Sequence, residues 1–144
     1  MRDWEARTAI GAAARLRDRG IVGPLPDMAG ECAELLAAWP ADVMVFDWLF
    51  VGAAVAAEAA GVPSVALIHC PYPLPVKGVP PLFSGLGLKV GRLGAIRDGA
   101  FNGLTRRFSA KGLPVLNRVR AEHGLDPLPG GAMREHLHVV AAPH

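Results

Sequence analysis

One aspartate, three histidines and a cysteine are the side chains of this sequence whose placement invites chemistry. Asp47 closes the apolar run Ala41-Asp42-Val43-Met44-Val45-Phe46, and His69 closes a second, Ser64-Val65-Ala66-Leu67-Ile68, with Cys70 beside it. A carboxylate so placed can hold an imidazole in one tautomer and stabilise the positive charge it gains when it takes a proton. The competing role is local, as the N-cap of a helix that follows, and the two roles can coexist. His69 is a candidate to line a pocket or act as a base; the plainer reading is a packed, hydrogen-bonded histidine. Cys70 would be a nucleophile only with a lowered pKa, for which the sequence carries no signal. His136 and His138 would share one face of a strand, a spacing found in some metal sites, but no third ligand stands near them and no metal site is expected.

The elements that would position these groups follow from periodicity and punctuation. Val43-Met44-Val45-Phe46 has no polar alternation, which suits a strand covered on both faces, as parallel strands are. The alanine-rich stretch 49–60 predicts a crossover helix, Gly61 its left-handed terminator, and Val62-Pro63 an extended lead into a second strand over 64–69. Strand, helix, strand in this order predicts a right-handed parallel unit. In open α/β sheets ligands sit outside the carboxyl ends of the strands, where Asp47 and His69 fall.

Around this unit the chain reads as helical. Residues 3–19 predict a helix with Trp4, Ile10, Ala13 and Leu16 available for burial and Gly20 as its stop. Asp27 is expected to cap a second, whose apolar positions are Met28, Cys32, Leu35, Leu36 and Trp39 and which Pro40 ends. After His69 the prolines at 71, 73, 75, 80 and 81, alternating with Gly78, Gly85, Gly87 and Gly91, predict a long loop. From Arg92 to about Lys111, Leu93, Ile96, Leu104 and Phe108 recur at helical spacing, with Arg97, Arg106, Arg107 and Lys111 for a solvated outer face or a phosphate. Gly112 breaks that helix. Pro114 fits the first turn of another running to His123, with Gly124 as its terminal glycine. Residues 137–141 predict a last short strand.

Composition narrows the function classes. The 144 residues match one ordinary domain, and 51% hydrophobic residues with a mean hydropathy of +0.29 argue against disorder. A net charge of +2 gives no strong field toward nucleic acid. The apolar run 43–62 is interrupted by Asp47 and Glu58 and rich in weakly apolar alanine, so no membrane span is expected. The charged opening Met1-Arg2-Asp3-Trp4-Glu5 does not read as an export signal, and two cysteines form neither a disulfide framework nor a metal-spaced cluster. A reducing cytoplasm is the expected setting, and a small molecule or a protein surface the expected partner. A hydrolase of the doubly wound type is disfavoured because no Gly-x-Ser-x-Gly elbow is present.

Several segments together resemble the N-terminal, acceptor-binding domain of bacterial GT-B-fold glycosyltransferases that use nucleotide sugars to glycosylate macrolides, polyketides and other natural products. They are Ala41-Asp42-Val43-Met44-Val45-Phe46-Asp47; Gly52-Ala53-Ala54-Val55-Ala56-Ala57-Glu58-Ala59-Ala60-Gly61-Val62-Pro63; the proline-rich loop at 71–81; Gly94-Ala95-Ile96-Arg97-Asp98; and Leu113-Pro114-Val115-Leu116-Asn117-Arg118-Val119-Arg120 through Gly124-Leu125-Asp126-Pro127-Leu128. The likeness runs from about Trp39 to Ala142. It implies an α/β, Rossmann-like parallel sheet with helices, and sugar transfer from a nucleotide diphosphate sugar to a hydroxyl of a hydrophobic acceptor. Asp47 matches by position the aspartate that orients the family's base histidine, while no residue here matches that histidine. Trp48, Leu49, His69 and Tyr72 are the candidate acceptor-binding residues, with Phe50 and Leu74 beside them. Such apolar groups suit an aglycone pocket and serve equally as core or interdomain packing.

The resemblance further implies that residues 1–144 are one partial domain, the acceptor side, lacking the opening strand with its histidine and the nucleotide-sugar domain. A nucleotide sugar would be bound only through that missing domain, and this chain alone would not catalyse transfer. No cofactor or metal is called for. The alternative is a non-catalytic small-ligand-binding or protein-interaction module on the same scaffold.

Overall fold

A computed structural model describes residues 8–68, 79–80, 84–88 and 91–129. The chain forms two compact units, one of Met1–Leu67 with Gly112–His144, the other of Ile68–Lys111. The described architecture is mixed α/β, with helices and a two-stranded parallel sheet.

In the first unit, helix α1 (Ala9–Arg15) opens where Thr8 Oγ1 accepts the Gly11 N–H at 3.1 Å, and it runs directly into a π-helical segment, Leu16–Val22. Gly20 therefore does not stop the helix: the backbone widens through it. The apolar stripe expected here is not buried either, since Ile10, Ala13 and Leu16 are exposed; Trp4 lies outside the described residues. Helix α2 (Leu25–Ala38) starts two residues before the expected cap, with Pro24 at the N-cap and Asp27 inside the first turn, where its charge favours the helix dipole. Leu25 and Ala29, four apart, form its buried line, leaving Leu35 and Trp39 exposed.

Strand β1 (Met44–Asp47), helix α3 (Val51–Ala59) and strand β2 (Ser64–Leu67) make the expected parallel unit, with Met44 paired to Ser64, Phe46 to Ala66 and Asp47 to Leu67. Every residue of α3 from Val51 to Ala57 is buried, as a helix apolar on all sides must be. Val51 and Val55 join Leu25, Ala29, Leu116 and Val119 in one core cluster, while Ala53 and Ala54 join Phe46 in a second. The helix ends in a Schellman motif: Gly61, at φ +68°, donates to Glu58 C=O at 3.1 Å, and Val62 donates to Ala57 C=O at 2.9 Å.

Among the described residues the sheet is covered on one face only, which differs from the expectation of strands buried on both sides. Met44, Phe46 and Ala66 meet the helices, whereas Val45, Val65 and Leu67 on the opposite face remain 63%, 41% and 58% exposed. Uniformly apolar strands therefore hide an alternation of environment that residue type does not reveal.

Helix α5 (Leu113–Glu122) returns to the first unit with Pro114 in its first turn and a second Schellman ending, in which Gly124 (φ +75°) donates to Ala121 C=O at 3.1 Å and Leu125 to Arg120 C=O at 2.9 Å. The segment after it is pinned by Asn117, whose amide donates to Leu128 C=O at 3.1 Å and accepts the Leu128 N–H at 2.9 Å.

The second unit contains helix α4 (Arg92–Ala110). Its length and position match the periodicity, but its orientation does not. The buried stripe is Gly94, Asp98 and Asn102, and the expected core residues Leu93, Ile96 and Leu104 are 80%, 68% and 63% exposed. Polar partners explain how such a stripe is tolerated: Asp98 Oδ1 accepts from Arg97 Nε at 2.8 Å, and Asn102 Nδ2 donates to Val79 C=O at 3.0 Å. No helix among the described residues is long and apolar enough to cross a membrane.

Candidate functional site

Asp47 ends β1 at the carboxyl edge of the sheet, and the chain turns at once into α3. Its backbone carbonyl accepts the Phe50 N–H at 2.7 Å and its carboxylate Oδ1 accepts the Leu49 N–H at 2.9 Å. The carboxylate thus caps the turn between strand and helix. It does not cap α3 itself, whose N-cap is Phe50 and whose first residue is Val51, two positions later than the alanine-rich run suggested. Such a side chain, folded back on the amide two residues on, is tied to the turn it closes.

Trp48 stands next to it. Its backbone N–H donates to Leu67 C=O at 3.3 Å, extending the pairing of β1 with β2 by one residue. Its indole Nε1 is buried and has no hydrogen-bond partner among the described residues. A buried indole N–H without an acceptor is uncommon and costs desolvation energy that a ligand oxygen placed against it would offset. Leu49 is half-buried and Phe50 exposed on the same turn. A carboxylate, an indole donor and two apolar side chains therefore follow one another along the turn that leaves the sheet edge.

His69, Cys70, Tyr72, Leu74, His136 and His138 lie outside the described residues, as do most of the proline-rich loop and the strand expected over 137–141. Among the described residues no group of three His, Cys, Asp or Glu side chains is arranged to hold a metal ion. Cys32 packs against the Phe46 cluster, and burial, with a smaller contribution from the Glu31 charge, pushes its thiol up, away from the reactive thiolate.

Two polar arrangements, each built on a buried charged side chain, carry no signature in the sequence. Arg120 grips Glu58 through two bonds of 2.6 and 2.9 Å and donates from Nε to Asp126 C=O at 2.8 Å. Asp98 is fully buried; Arg97 approaches its Oδ1 while its Oδ2 has no hydrogen-bond partner. Neither spacing is a motif: Glu58 and Arg120 are 62 residues apart, and Arg97 and Asp98 are simply adjacent.

Comparison with protein-family models, with curated proteins and with solved structures finds no match to this chain.

Proposed function

We propose that this chain is the acceptor-side part of a GT-B-fold glycosyltransferase, a Rossmann-like half-site that receives a hydrophobic hydroxyl compound. The observation that carries the reading is the carboxylate of Asp47, tied to its own turn at the carboxyl end of a parallel strand, next in sequence to Trp48, whose buried indole N–H has no partner among the described residues. Asp47 orients an imidazole that removes the acceptor's hydroxyl proton. The freed oxygen attacks the anomeric carbon of a nucleotide diphosphate sugar as the bond to the diphosphate breaks, inverting the configuration. By the resemblance, Asp47 acts on a base histidine that no residue of this sequence matches. The open face formed by Val45, Val65 and Leu67 supports a larger assembly, because a sheet apolar on both faces needs a layer on each.

Trp48 N–H serves as a donor to an oxygen of the acceptor, with Leu49 and Phe50 as apolar walls. Calorimetric titration of the 144-residue chain with a polyketide macrolactone tests this. Binding is expected, and Trp48→Phe, which keeps an aromatic ring and removes the donor, should weaken it by about fivefold, the worth of one hydrogen bond. Absence of binding, or equal affinity in the variant, would contradict the assignment.

A further inference from the structure

Helix α4 is inverted with respect to its amphipathicity. Leu93, Ile96, Phe101 and Leu104 form an exposed apolar arc along it, while the buried stripe carries Gly94, Asp98 and Asn102. Arg92, Arg106, Arg107 and Lys111 are exposed along the same helix and its C-cap. The helix has a single carboxylate, Asp98, and that one is buried against Arg97. Its outward surface is thus apolar and cationic, without an anion.

We propose that α4 docks in the plane of an anionic lipid surface, its leucines and isoleucine entering the acyl boundary and its arginines and lysine meeting the headgroups. The charge pattern selects this occupant. A second copy of the same face would set a cationic surface against a cationic surface with no exposed carboxylate on either helix to pair it, whereas an anionic bilayer satisfies both the apolar and the cationic groups. At 19 residues the helix extends about 28 Å, enough to lie along a surface, and its composition excludes spanning. Docking by α4 is independent of the acceptor-site reading, since it rests on the other compact unit.

Co-sedimentation of the full chain with phosphatidylglycerol vesicles tests the proposal, with phosphatidylcholine vesicles for comparison. Binding is expected to the anionic vesicles and to weaken as salt rises. Leu93→Gln with Leu104→Gln should reduce it at least about tenfold. Arg107→Gln should reduce it about fivefold, the contribution of one cation near a charged surface. All three positions are exposed, so unchanged helical circular dichroism should accompany the losses. No binding to phosphatidylglycerol, or binding indifferent to the paired leucine substitutions, would overturn the proposal. A concentration-dependent dimer abolished by those substitutions, without vesicle binding, would assign the face to a second copy instead.

Discussion

Glu58→Gln should destabilise the protein by about 3 kcal/mol, at the lower end of the range for breaking a buried ion pair. Arg120 reaches across from α5 to the C-terminal turn of α3, with its side chain 4% exposed against 38% for Glu58. The asymmetry decides which partner matters more. Removing the carboxylate charge leaves a guanidinium in the interior without the anion that its fork grips, and an arginine does not escape that cost by losing its proton. Arg120→Met should cost less, because the methionine fills much of the buried volume and the Glu58 carboxylate, already partly in water, can complete its hydration. The order of the two variants in urea unfolding checks the argument, and a Glu58→Gln protein as stable as the wild type would refute it.

Gly52→Ala should cost about 2 kcal/mol even after the helix-propensity gain of about 1 kcal/mol from replacing glycine. A methyl group at Gly52 would stand 2.7 Å from Leu25 C=O, 2.9 Å from the Ala29 nitrogen and 3.0 Å from Met28 Cβ. The first two are backbone atoms of α2, so relief requires moving one helix away from the other and opening the cluster around Val51 and Leu25. Gly30→Ala is the matched comparison. It lies in the interior of α2 with nothing within 4 Å of an added methyl group, so it should stabilise by about 1 kcal/mol. Thermal unfolding of the pair should therefore shift in opposite directions.

What the sequence made legible has a common physical character. Gly61 and Gly124 were readable as helix ends because the left-handed backbone after a helix strongly favours glycine. The β1–α3–β2 unit was readable because two apolar runs bracket a helix former. Asp47 stood out as a carboxylate at the end of an apolar strand. The misreadings arise where sequence gives a pattern without a direction. The spacing of Leu93, Ile96 and Leu104 says that they share a face of α4, but only tertiary structure says that the opposite face is the one buried. Likewise, the apolar strands gave no sign that Val45 and Val65 look outward. Asp27 resembled a cap because it precedes the periodic residues, yet Pro24 and Leu25 already begin the helix. The pairing of Glu58 with Arg120 depends on two helices brought together from distant parts of the chain, which no local spacing encodes.

Sugar transfer by the gene product as its source cells make it is the direct test of the central claim. The purified product, incubated with a nucleotide diphosphate hexose and a polyketide aglycone, is expected to yield aglycone heavier by one hexosyl group, and Asp47→Asn is expected to abolish most of that yield while leaving aglycone binding intact. No hexosylated aglycone across uridine and thymidine diphosphate sugars, or full yield from the Asp47→Asn protein, would contradict the account and leave the Asp47 turn a purely structural device.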